Sequence, residues 1–198
     1  MLARFIPILI VVLLCWVVFG INELICSGHL NQHGIVPRHL ASLAGILWAP
    51  FLHASLAHLL ANTVPLLLLG GILCARSPGE FGLVALSGIL FSGVLTWLFA
   101  RNACHIGASG LIFCLFGYLV SLALFRRTFG TLVLSVLCLL AYGGMLKGLV
   151  PTSTPISWEG HLAGLFSGVL LAWIGSKTNP AHQQQALRPV GLAETLKK

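Results

Sequence analysis

The segment His105-Ile106-Gly107-Ala108-Ser109-Gly110 places a serine between glycines, directly ahead of the apolar run from Leu111 to Phe125. A serine held where an irregular segment becomes a membrane-length helix is the mark of a nucleophile at a helix N-terminus. Taken alone, Ser109 reads first as an N-cap with glycines shaping the turn, because serine is a favoured capping residue. Other polar residues weigh against that reading. In Trp158-Glu159-Gly160-His161-Leu162-Ala163-Gly164, His161, Gly164 and the later Gly168 stand at i, i+3 and i+7, on one helix face. Glycines on a face let a membrane helix approach its neighbour closely. If that neighbour begins at Ser109, the His161 imidazole reaches the hydroxyl; otherwise His161 anchors its helix at the interface. A third helix carries His58 and Asn62 one turn apart on the same face. His53, five residues earlier, points about 140° away and reads as a tie to the preceding loop. A polar residue inside a span is costly and functional by default. The alternative for His58 and Asn62 is interhelical bonding, worth about 0.6 kcal/mol each.

Together these residues supply the parts of acyl transfer: a serine nucleophile, a histidine base and donors for an oxyanion. A third acid is missing. The chain has no Asp, its four Glu are Glu23, Glu80, Glu159 and Glu194, and Glu159 is two positions from His161, so the pair cannot share a helix face. The expectation is a Ser-His dyad, its ring oriented by stacking on Phe113, which lies one turn below Ser109, with core or lipid packing the alternative for that ring. Turnover should be slow without the orienting carboxylate. The G-x-S-x-G elbow of soluble hydrolases is absent, since Leu111 occupies its last position.

Chemistry of this kind needs elements to hold it, and composition says which. With 198 residues, 58% hydrophobic and 8% charged, the chain cannot present an ordinary aqueous surface. The expected class is an all-α membrane protein. The net charge of +7 is carried by isolated residues between apolar runs, not by a basic stripe interleaved with aromatics, which argues against nucleic acid. Spans of about 20 residues fit near 5–22, 51–73, 81–100, 109–125, 130–149 and 159–176, leaving a polar, Gln-rich tail over 177–198. A cytoplasmic N-terminus puts eight basic residues inside against Arg38, Arg101 and Lys147 outside, as the positive-inside rule requires. The first span is also readable as a signal peptide, but no small-residue cleavage pattern precedes Glu23. Spans two, four and six then all descend from the outer face, setting their polar residues at similar depth. Span four, about 17 residues or 25 Å, is short of a core about 30 Å thick. The loop before Ser109 must therefore dip inward, which requires a wet, protein-lined cavity.

The long first outer connection, from Glu23 to Pro50, repeats Leu40, Leu43, Ala44 and Leu47 at helical spacing, predicting a short headgroup-level helix or else a packed loop. Small residues Ser87, Gly88, Ser92 and Gly93 suit span three to close packing, and Gly143 and Gly144 loosen span five, the candidate mobile wall. Four cysteines, Cys15, Cys74, Cys114 and Cys138, sit in or beside spans as small hydrophobes. Cys26 and Cys104 share the outer side, where a disulfide is possible. Neither C-x-x-C nor H-E-x-x-H occurs, so no metal site is expected.

His-x4-His-x3-Asn in span two, Gly-x-Ser-Gly opening span four and His-x2-Gly-x3-Gly in span six resemble the rhomboid intramembrane serine proteases in their six-span bacterial form, over about Gly34 to Gly175. The resemblance implies a six-transmembrane-helix rhomboid-like bundle with Ser109 as nucleophile and His161 as general base. It implies an oxyanion site from His58, Asn62 and the Ser109 backbone N–H, supported by Gly107, Gly110, Gly164 and the ring of Phe113. It further implies an integral protein of the bacterial inner membrane with both termini cytoplasmic. Substrates would be single-span membrane proteins cut near the outer face, with no metal or nucleotide cofactor. A non-catalytic relative that binds transmembrane segments is the alternative. The chain departs from the family where a Trp-Arg pair is usual in the first outer loop and Gly34-Ile35-Val36-Pro37-Arg38 stands instead. His105, close to the serine in sequence, is a second candidate base.

Overall fold

The computed structural model describes residues 2–151 and 156–177. The polar tail expected from residue 178 onward lies outside them. Among the described residues the chain forms seven α-helices joined by short 3-10 turns, and no strand. The helices are α1 (Ile6–Leu24), α2 (Gly45–Trp48), α3 (Leu56–Arg76), α4 (Pro78–Phe99), α5 (Ser109–Arg126), α6 (Phe129–Tyr142) and α7 (Trp158–Lys177).

Five stretches are long and apolar enough to cross a bilayer: Leu2–Leu24, Leu56–Arg76, Pro78–Phe99, Ser109–Arg126 and Phe129–Leu149. The stretch expected as the sixth span forms the helix α7, 20 residues long and so about 30 Å, but it is not among those five. It is less apolar because it carries Glu159, His161, Lys177 and four glycines. Leu13, Leu68, Leu86 and Leu140 are 61%, 50%, 59% and 80% exposed, a distribution that only a hydrocarbon solvent tolerates across so many helices. The protein is therefore an integral membrane helical bundle.

The bundle is organised around α5, the most buried of its candidate spans. Its longest seam is with α7, and there backbone meets backbone. A Cβ on Gly164 would lie 2.1 Å from the Gly110 carbonyl oxygen, and one on Gly168 would lie 2.1 Å from that of Cys114. Gly117 of α5 answers from the other side, where a Cβ would come within 2.6 Å of the Leu165 carbonyl oxygen. On the opposite flank α1 packs against α3, with Ile8 filling the space that Gly70 leaves open. At the end of α5 remote from Ser109, Glu80 accepts from Tyr118 at 2.6 Å and pairs with Arg126 at 2.5 Å and Arg76 at 3.8 Å. A half-buried carboxylate on α4 is there satisfied by partners from two other helices, α3 and α5.

Two boundaries differ from the sequence expectation. The second span begins at Leu56, not at residue 51, because Ser55 caps it: its Oγ accepts from the His58 N–H at 3.1 Å. His53 thus lies in the non-helical lead-in and has no helical face. The fifth span keeps its length, but α6 stops at Tyr142 and Gly143–Leu149 continues as a 3-10 turn, the tightening beginning at the two glycines.

The connection between α1 and α3 does hold helical turns between Leu40 and Phe51, broken into 3-10 turns at Leu40–Ser42 and Ala49–Phe51 around α2. Leu40, Leu43, Leu47 and Trp48 face outward while Ile46 and Ala49 are buried. The turns are pinned from beneath. Gly45 admits the Gly34 carbonyl, whose oxygen would sit 2.3 Å from any Cβ there. Ile35 and His105 form an isolated antiparallel bridge, with N–H to carbonyl distances of 3.0 and 2.8 Å. Arg38, at φ +63°, donates to the carbonyls of Leu98 and Ala100 at 3.2 and 2.9 Å. That arginine and the glycine contacts hold the loop where the usual Trp-Arg pair is lacking.

Candidate active site

Ser109 is the first helical residue of α5; Ala108, fully buried, occupies the cap position and supplies no side-chain bond. The Ser109 hydroxyl therefore does not cap the helix, and its half-buried side chain has no hydrogen-bond partner among the described residues. It sits where the first N–H groups of a helix lack intrahelical acceptors and the dipole is positive. Gly107 makes the turn that puts it there. Its φ of +110° suits glycine alone, and its N–H donates to the Ala49 carbonyl at 2.8 Å.

The expected oxyanion donors converge on that turn. A Cβ on Gly107 would lie 2.6 Å from His58 Nε2 and 3.5 Å from Asn62 Nδ2. Asn62 is buried and its Nδ2 has no partner. A buried amide donor left unpaired costs about 1–3 kcal/mol, and this one lies beside the Gly107 turn. His53 is 1% exposed, ring edge toward His58 at 5.0 Å between centroids and an angle of 63°. Its carbonyl accepts from Asn31 at 3.3 Å, so it does tie the helix to the outer loop, from a buried position. Burial, then the neighbouring His58, pushes its pKa down to about 4, so it stays neutral at physiological pH.

The α5–α7 seam brings His161 to the serine's face of α5. Its ring stacks on Phe113 with centroids 4.3 Å apart and planes 11° apart. Phe113 is one turn below Ser109, as expected. His161 Nδ1 also lies 2.9 Å from the Gly148 carbonyl oxygen. A carbonyl only accepts, so Nδ1 carries the proton and Nε2 is left as the basic nitrogen.

His105 is not placed as a rival base. Its Nε2 donates to the Arg101 carbonyl at 3.0 Å and its Nδ1 is 2.6 Å from Ser157 Oγ. Ser157 Oγ in turn accepts from the Gly160 N–H at 3.2 Å, capping α7 one residue before His161. His105 is thus a fastener between the loop before Ser109 and the start of α7. Glu159 forms an ion pair with Arg101, at 3.6 Å. Cys26 and Cys104 are both free thiols, so the possible disulfide is not formed. Burial raises the Cys104 pKa. Cys104 Sγ donates to the Asn31 carbonyl at 3.3 Å.

A cavity of about 40 Å³ borders Ser109, with Ser92, Thr96, His105 and Ser157 supplying polar wall and Gly110 and Gly160 its floor. It has room for about two or three waters at 10–15 Å³ each. His161, His58 and Asn62 do not line it. Ser157, the Arg101–Glu159 pair and the Gly148 carbonyl were not anticipated from the sequence. Ser157 was findable, standing just before the residue that opens α7; a main-chain carbonyl has no letter to find.

The described arrangement has counterparts. The model of the rhomboid domain matches residues 40–178. An uncharacterized protein of Mycobacterium tuberculosis is 36% identical over 193 residues, covering 93% of this chain and 79% of that protein. RHOMBOID-like protein 7 of Arabidopsis thaliana is 32% identical over 142 residues, covering 69% and 44%. Rhomboid-like protein 11, chloroplastic, of the same plant is 30% identical over 158 residues, covering 71% and 55%.

Proposed function

This chain belongs to the rhomboid family, and from that premise we propose that it is an intramembrane serine endopeptidase working with a Ser109–His161 dyad. The observation that carries the reading is the His161 ring stacked on Phe113, one turn below a serine whose hydroxyl the helix cap leaves unused. In the reaction, Ser109 Oγ attacks the scissile carbonyl of a substrate while His161 Nε2 takes the hydroxyl proton. The oxyanion is met by Asn62 Nδ2, the His58 ring and the backbone N–H at Ser109. Collapse returns the proton to the leaving amine and leaves an acyl-enzyme. Water then repeats the sequence on the ester, restoring the serine.

The substrates are single-span membrane proteins, cut on the side where α3, α5 and α7 begin. Six spans, with α7 as the sixth, put that side outside an inner membrane and both termini in the cytoplasm. Eight of eleven basic residues then lie inside.

A fluorophosphonate probe in mild detergent should label the parent and leave Ser109→Ala unlabelled. His161→Ala should lose labelling and cleavage of a single-span reporter together. Equal labelling of the parent and Ser109→Ala would remove the catalytic reading and leave a bundle that binds membrane segments without cutting them.

A further inference from the structure

Stacking is indifferent to which ring nitrogen points where. An imidazole lying flat on Phe113 can turn over about its χ2 bond and keep its 4.3 Å, 11° contact, Nδ1 changing places with Cδ2 and Nε2 with Cε1, so that both nitrogens move to the other side of the ring. A base needs one of them deprotonated and facing the nucleophile. In a triad the carboxylate enforces that choice, and here the acid nearest in sequence, Glu159, is committed to Arg101.

The last turn of the 3-10 segment Gly143–Leu149 supplies a substitute. The Gly148 carbonyl lies 2.9 Å from His161 Nδ1. The position is tight for a side chain: a Cβ on Gly148 would be 3.0 Å from Nδ1 and 3.3 Å from Phe113 Cζ, so the stacked rings would have to give by a few tenths of an ångström. A glycine lets the carbonyl approach the ring without displacing it. We infer that Gly148 is a positioning residue whose backbone carbonyl takes the place of the missing carboxylate, holding His161 in the Nδ1–H tautomer with Nε2 toward Ser109. This rests on the Ser109–His161 reading above.

Two consequences follow physically. A neutral acceptor stabilises a charged imidazolium less than a carboxylate does, so the device sets tautomer and angle but contributes less to the transition state. The acceptor also belongs to the segment that leaves α6, not to α5 or α7. The base is therefore set only while that segment is seated against His161.

The decisive variant adds no atoms to the side chains. Replacing Leu149 by the α-hydroxy acid of leucine in the full chain converts the 148–149 peptide bond to an ester and weakens the Gly148 carbonyl as an acceptor. Losing most of one neutral hydrogen bond should lower kcat on a single-span reporter by about fivefold to tenfold, with KM unchanged. The ¹⁵N spectrum of His161 should change from the Nδ1–H tautomer alone to a mixture. Gly148→Ala, which pushes the ring itself, should lower kcat at least as far. Should Gly148→Ala fail to fold, the ester variant decides alone, folding being judged by its thermal midpoint. An ester variant with parental kcat, or with an unchanged tautomer, overturns the inference. If the parent neither labels nor cleaves, the protease reading fails, while the tautomer measurement still reports whether this carbonyl orients the ring.

Discussion

Asn62 is placed at a cost that folding alone does not explain. Its buried Nδ2 is without a partner, whereas a residue kept for helix association would have spent that donor on a neighbouring helix. The two roles make opposite predictions. Asn62→Ala should leave the thermal midpoint in detergent unchanged or slightly higher, because an unsatisfied group is removed. It should lower kcat by about 10²-fold, the usual loss when one oxyanion donor goes. A fall in the midpoint with kcat intact would make the asparagine a packing residue instead. The same reasoning separates the two histidines near the serine. Both ring nitrogens of His105 are spent on Arg101 and Ser157, while His161 spends only Nδ1 on Gly148. Availability of a nitrogen, not closeness in sequence, is what separates the proposed base from a fastener.

Among the elements, α5 and α7 must touch for the dyad to exist, and glycine decides whether they do. Gly164→Ala would set a methyl 2.1 Å from the Gly110 carbonyl oxygen, and neither backbone can yield without parting the helices. The expected result is a loss of about 1–3 kcal/mol of stability, the usual range for overpacking, with loss of serine labelling as His161 is carried away. Gly71→Ala is the control, since a Cβ there meets nothing within 4 Å, and it should behave as the parent does. A Gly164→Ala protein that labels normally would mean that the seam does not position the base.

This seam was legible in the sequence because helical periodicity puts His161, Gly164 and Gly168 on one face. So were Phe113 one turn below Ser109 and His58 one turn above Asn62. The start of α3 was not read correctly, because Phe51 and Leu52 are apolar enough to join a span by hydropathy. The local signal that competes with them is a single hydroxyl, that of Ser55, capping the His58 N–H. The end of α6 was half legible: Gly143 and Gly144 advertised a change, but not that it would be a 3-10 turn aimed at His161. Main-chain acceptors chosen by tertiary packing leave no pattern in side-chain identity.

At the scale of the whole molecule the solvent is inverted, with leucines outward along the spans and polar groups gathered at two levels. One level holds the Glu80 network, and the other holds the site. The site level is closed by segments far apart in sequence. Ile35 and His105 exchange two main-chain hydrogen bonds, and the His105 ring reaches on to the cap of α7. Exposed loops normally exchange their amide hydrogens quickly. The amides of Ile35 and His105 should instead exchange on the timescale of helix interiors in the native protein, and His105→Ala should speed both, together with the first turn of α7. Fast exchange at these two amides in the parent would mean that the outer segments move independently.

That bridge also bears on how such a chain can vary over generations. Connections between spans are usually where residues are gained or lost without harm, since each extra residue in a loop costs little closure entropy. Between Gly34 and Arg38, and between Arg101 and His105, that tolerance is withdrawn. One inserted residue would shift the pairing register and turn the His105 ring away from Ser157, the residue that caps α7. Length in these two stretches should be tightly held among related chains.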